Sequence, residues 1–120
     1  MISIVDDDPS VLRAVGTLVR SLGYPVVTFG SAEAFLESGA VEKSSCVISD
    51  VRMPGMSGLE LQSQLLAAGI VIPLIFMAAN PDPGVVQAAL AAGAIAIHAK
   101  PFDHESLAAS IEQALSDDAA

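Results

Sequence analysis

Cations are scarce in this chain: 5 lysines and arginines stand against 14 aspartates and glutamates, giving a formal net charge of −9. A surface of that sign repels a phosphodiester backbone, so no direct contact with nucleic acid is expected. Cysteine is almost missing. The single one, Cys46, can close no internal disulfide; in the apolar run Cys46-Val47-Ile48 it reads as a small buried hydrophobe, which fits a reducing, cytoplasmic setting. Long apolar runs are absent too. The longest, residues 70–79, is broken by Pro73 and is too short to span a bilayer, and no positively charged, hydrophobic leader opens the chain. Neither secretion nor membrane insertion is expected. Low-complexity stretches, interdomain linkers and internal repeats are also lacking, so residues 1–120 are read as one domain.

What the chain does have is apolar content, 52% of residues, enough for a core without disulfides or a structural metal. These residues fall into short runs, each followed by a turn and an amphipathic helix, the pattern of a parallel sheet covered on both faces. The first strand, residues 2–5, precedes a helix with Val11, Leu12, Val15, Leu18, Val19 and Leu22 on one face, ended by Gly23. A second strand, residues 26–29, leads to a short helix opened by Ser31, with Glu33 and Glu37 in polar positions and Gly39 near its end. A third, residues 46–49, runs into Asp50 and a turn-rich segment, residues 53–58, before a helix carrying Leu59, Leu61, Leu65 and Leu66.

The fourth strand, residues 74–77, is followed by the turn formers of residues 80–84 and a helix with Val85, Val86, Ala89 and Leu90, closed by Gly93. Residues 94–97 read as the fifth strand. The last helix shows Leu107, Ala108, Ile111, Ala114 and Leu115 on one face, with a frayed tail from Asp117. The expected architecture is a doubly wound α/β fold: a five-stranded parallel sheet flanked by five helices.

Sites in open parallel sheets form beyond the carboxyl ends of the strands. Three of those ends are charged here: Asp6, Asp7 and Asp8 after the first strand, Asp50 after the third, Lys100 after the fifth. Strand order 2-1-3-4-5 brings them into one pocket. Asp8 is explained as a helix cap with Pro9 at the first helical position. Asp6 and Asp7 are then left over for function. Clustered carboxylates repel one another by roughly a few kcal/mol at intermediate dielectric unless a cation joins them. An all-oxygen site without histidine or cysteine calls for a hard ion, Mg²⁺ rather than zinc.

Four segments, Val5-Asp6-Asp7-Asp8, residues 49–58 around Asp50, Ala92-Gly93-Ala94 and Lys100-Pro101-Phe102, resemble in order and spacing the receiver domain of two-component response regulators. The likeness covers essentially the whole chain, and the Asp50 turn is most similar to the FixJ-like subgroup. It implies the flavodoxin-like receiver fold, Asp50 as phosphoacceptor, Mg²⁺ held by Asp6, Asp7, Asp50 and the Arg52 carbonyl, and Lys100 in contact with the phosphoryl group. It also implies a sensor histidine kinase or phosphotransfer protein as donor, no enzymatic turnover beyond the chain's own phosphorylation and dephosphorylation, and a cis bond before Pro101. An effector domain or a homodimer formed through the fourth helix, fifth strand and fifth helix is implied as output.

Two positions depart from the family pattern. Ala78 stands where receivers place serine or threonine, and Ile97 where they place tyrosine or phenylalanine. The usual coupling of hydroxyl and ring is missing, so the signalling change is expected from repacking around residues 80–84. A degenerate receiver that acts by contact alone, without phosphorylation, is the competing reading. Arg52 and Asn80, each two residues past a strand end, are candidates for tuning the lifetime of the acyl phosphate. His98 and His104 are given no catalytic role. An aspartate-nucleophile phosphatase needs an acid where Arg52 stands, and an FMN site needs hydroxyls and amides where the three aspartates stand.

Overall fold

Short, nearly continuous apolar runs make strands buried on both faces, because successive side chains point to opposite sides of the sheet and helices cover both. The computed structural model describes the backbone of residues 1–119 and the side chains of residues 1–116. Its elements are β1 (Ile2–Val5), α1 (Pro9–Ser21), β2 (Val26–Phe29), α2 (Ala32–Glu37), β3 (Cys46–Asp50), α3 (Gly58–Ala67), β4 (Leu74–Ala78), α4 (Pro83–Ala91), β5 (Ala96–Ala99) and α5 (His104–Ala119), with a 3-10 turn at Val41–Lys43. All neighbouring strands pair in parallel, in the order β2-β1-β3-β4-β5. The doubly wound sheet read from the sequence is the sheet observed.

Ile2, Ile4, Cys46, Ile48, Ile75 and Met77 form one half of the core with Val15, Val19, Leu107 and Ile111 of α1 and α5. Val5, Val47, Leu74 and Phe76 form the other half with Phe35, Leu61, Leu65 and Ala89 of α2, α3 and α4. Each fully buried side chain of this size contributes about 1.5–3 kcal/mol relative to exposure. Among the described residues no helix is long and apolar enough to cross a membrane.

Caps fix where the helices start. Asp8 accepts the Ser10 N–H at 2.9 Å with Pro9 opening α1, as its position in the sequence requires. Ser31 caps α2 and Asp82 caps α4. Ser57 and Glu60 form a reciprocal capping box at α3.

Boundaries differ in three places. β3 and β4 each run one residue further, so Asp50 and Ala78 are the last residues of their strands. The fifth strand lies at Ala96–Ala99 and not at residues 94–97. The reason is local: Gly93 turns at φ 105° and the Ala94 N–H still closes α4 on the Ala89 carbonyl at 3.0 Å, so extended pairing begins later. The tail expected from Asp117 lies at the limit of the described range; the backbone of α5 continues to Ala119, and the side chains there are outside it.

One glycine is held by contact and not by a turn. Gly58 donates to the Val51 carbonyl at 2.8 Å, and a Cβ added there would strike the Asp50 carbonyl oxygen and press on the Phe76 ring. Gly58→Ala is expected to cost about 1–3 kcal/mol or more, since the obstacle is backbone. Urea unfolding measures it, and a midpoint equal to the parent's contradicts the close packing.

Candidate functional site

The sheet register assembles the site. The last registered pair between β1 and β3 is Val5 with Ser49, and the next residue on each chain is an aspartate, Asp6 and Asp50. Across β3 and β4, Asp50 pairs with Met77, and across β4 and β5, Ala78 pairs with Ala99. The Lys100 N–H then donates to the Ala78 carbonyl at 2.8 Å, which sets Lys100 at the same edge. The Lys100-Pro101 bond is cis, as the resemblance implied.

Side chains complete what the register begins. Lys100 Nζ donates to Asp6 Oδ2 at 2.9 Å and to Asp50 Oδ2 at 3.0 Å, bridging residues 94 and 50 positions away. Asp6 is 2% exposed and Asp50 7%. Asp6 Oδ1 accepts the Asp8 N–H at 2.9 Å, and Asp50 Oδ1 faces the Arg52 N–H at 3.4 Å. Burial lifts the Asp6 carboxyl above the ordinary aspartate value; the Asp8 N–H and Lys100 pull it down, yet burial and the Asp50 charge outweigh them. Burial also draws the Lys100 ammonium down, but its two carboxylate partners more than offset that and leave it raised. Both members of the pair shift upward because burial outweighs the favourable partners of Asp6, whereas at Lys100 the two carboxylates outweigh burial.

Asp7 is exposed and completes a trio. One oxygen each from Asp6, Asp7 and Asp50 lie within 4.8 Å of one another. Mg²⁺ takes oxygen ligands at about 2.0–2.1 Å, so carboxylates sharing it stand no more than roughly 4.2 Å apart, and a small inward movement of these three suffices. The donors are hard oxygens throughout, which fits a hard divalent cation.

Beside the trio is a cleft of about 210 Å³ lined by Asp50, Arg52, Ala78, Ala79, Asn80 and Lys100. Both loop residues named from the sequence, Arg52 and Asn80, are on its wall. Ala78 is buried, and Ile97 is half-buried against the α2–α4 half of the core, so neither a hydroxyl nor an aromatic ring stands at these two positions. His98 is away from the cleft, half-buried and bonded to the Ser110 hydroxyl at 2.8 Å; burial lowers its pKa while Asp103 opposes that. His104 packs on the Phe102 ring at 5.0 Å.

Two neighbours of the site were not read from the sequence. Asp82 lies 3.6 Å from the Arg52 guanidinium, and Glu33 of α2 accepts the Met56 N–H at 3.2 Å, tying the loop after Asp50 to a helix 23 residues earlier. An Asp-Pro pair signals the Asp82 cap, but nothing local signals either long-range contact.

Comparison with known proteins agrees with this geometry. Residues 2–112 match the response regulator receiver domain. The response regulator protein TmoT of Ectopseudomonas mendocina is 46% identical over 115 residues, covering 96% of this chain and 52% of that protein. The transcriptional regulatory protein FixJ of Azorhizobium caulinodans is 36% identical over 114 residues, 95% of this chain and 54% of that one. The solved structure of response regulator StyR superposes with a TM-score of 0.91 at 44% identity, covering 98% of this chain and 60% of that chain. The chain thus spans about half the length of the curated relatives it matches. With the strand order, the buried acid pair and the bridging lysine already in place, the match over residues 2–112 makes this chain a member of the response regulator receiver domain family, among relatives that include FixJ.

Proposed function

We propose that this chain is the phosphoacceptor module of a two-component response regulator, one domain over residues 1–120, which takes a phosphoryl group from a histidine kinase or phosphotransfer protein onto Asp50 in the cytoplasm. The observation that carries the reading is the bridge from Lys100 Nζ to Asp6 Oδ2 and Asp50 Oδ2 at the edge of the cleft. A carboxylate held at a strand end beside a cation is a competent nucleophile toward phosphorus. An Asp50 oxygen attacks, the P–N bond of the donor phosphohistidine breaks, and the freed imidazole nitrogen takes up a proton. Lys100 meets the negative charge on the equatorial oxygens, and the buried flank of Asp6 keeps that charge poorly solvated and the lysine oriented. Asp6, Asp7, Asp50 and the Arg52 carbonyl are the groups that hold Mg²⁺, which neutralises phosphoryl charge when bound. The product stays on the chain as an acyl phosphate lost by hydrolysis, so this is an acceptor and not a turnover enzyme. Arg52 and Asn80, on the cleft wall, tune that loss.

Output through α4, β5 and α5, to an effector domain or a second copy, is supported by residues 83–99, which contain no charged side chain in a chain of net charge −9. Leu90 on this stretch is 45% exposed. Like-charged partners approach with least repulsion there.

The test is Mg²⁺-dependent uptake from acetyl phosphate, followed by intact mass. Ala78→Thr supplies the missing hydroxyl at the cleft wall, and a hydrogen bond to a charged oxygen is worth roughly 1.5–3 kcal/mol, so uptake should quicken about tenfold or more. An unchanged rate shows that this position no longer addresses the phosphoryl group. The absence of hydroxyl and ring at Ala78 and Ile97 favours the second reading, an interaction module indifferent to phosphorylation; a parent chain that gains no mass while keeping its fold selects it.

A further inference from the structure

Arg52 and Asp82 face each other across the mouth of the cleft. Arg52 lines the cleft two residues past Asp50, and Asp82, the N-cap of α4, is two residues past Asn80, which lines the cleft as well. The Asp82 carboxylate is shared: Oδ1 accepts the Val85 N–H at 2.9 Å, while Oδ2 lies 3.6 Å from Arg52 Nη2. The link therefore joins the loop after Asp50 to the first turn of α4. Two cations line the cleft, and Lys100 is already committed to Asp6 and Asp50. Arg52 is the one free to answer a new charge. Its pair with Asp82 is long and its side chains are 77% and 52% exposed, a contact that water and salt leave weak. A phosphoryl group brings close to two negative charges and three acceptor oxygens, which a planar guanidinium engages through two parallel hydrogen bonds.

We propose that, given phosphoryl transfer to Asp50, Arg52 leaves Asp82 for the phosphoryl oxygens, and that this exchange reports the state of Asp50 to α4 in place of the absent hydroxyl and ring. Release unties the two walls of the cleft at residues 80–84 while the Val85 cap remains. Linkage makes the effect reciprocal: whatever holds Arg52 on Asp82 opposes the phosphorylated state to the same degree.

Asp82→Asn separates the two duties of that side chain, because asparagine caps a helix as well as aspartate but carries no charge. Beryllofluoride, a phosphoryl mimic, is titrated with Mg²⁺ into the parent, Asp82→Asn, Arg52→Gln and the double variant. Binding should tighten roughly two- to fivefold in Asp82→Asn, the factor available from an exposed pair. It should weaken in Arg52→Gln, and Asp82→Asn should then change nothing further. The gain should shrink at high salt. In parallel, amide exchange over residues 80–84 should rise with beryllofluoride in the parent and stay flat in Arg52→Gln. Equal effects of Asp82→Asn in both backgrounds, or none in the parent, overturn the exchange of partners while leaving phosphorylation of Asp50 standing. A parent chain that neither binds beryllofluoride nor takes up a phosphoryl group overturns both.

Discussion

Replacing Asp50 with asparagine is expected to leave a folded protein that gains no phosphoryl mass from acetyl phosphate and Mg²⁺ at any time point. The amide keeps the shape of the carboxylate but is no nucleophile, so the loss is complete and not graded. Folding should survive. Lys100 pairs with the carboxylates of Asp6 and Asp50 while Asp7 stands close by, and removing one negative charge relieves repulsion around Asp6, which is 2% exposed. Mg²⁺ should raise the thermal midpoint of the parent and do so much less in Asp50→Asn, since a ligand stabilises only through the state it binds. Phosphate found on another residue of the variant removes Asp50 from its role.

Lys100→Met should lower the rate of phosphoryl transfer by about 10² to 10³, the usual result of deleting one fixed donor to developing charge. The same change should tighten Mg²⁺ binding, because Lys100 holds Oδ2 of both Asp6 and Asp50 and competes with any other cation for them. Opposite movement of metal affinity and transfer rate is what separates this variant from a misfolded one. Without metal its stability should fall, with Asp6 and Asp50 left buried and unpaired. A variant that binds Mg²⁺ more weakly and transfers at the parent rate contradicts the bridge.

Strand tips were readable because each apolar run ends abruptly in a charge, and a charge at the carboxyl end of a parallel strand has few structural duties. Asp6, Asp50 and Lys100 met this description and stand within hydrogen-bond reach of one another. The start of β5 was not readable: Ala94 and Ile95 look like strand residues, but hydrogen bonding at the end of α4 claims Ala94 first. Gly58 was legible as part of a turn, while its approach to the Asp50 carbonyl is a matter of three-dimensional packing that composition does not carry. Arg52 and Asp82 lie 30 positions apart and meet through the β3–β4 pairing and the path of two loops, so no local pattern announces the contact.

The pairing of Val5 with Ser49 gives strand length a chemical meaning. An insertion of one residue inside β1 would keep every aspartate yet rotate Asp6 to the opposite side of the sheet, away from Lys100. Such a change would act as a deletion of the acid without altering the count of acids. Extra residues in the connection between α2 and β3 leave that alignment untouched, so drift in length is tolerated there and punished within the strands.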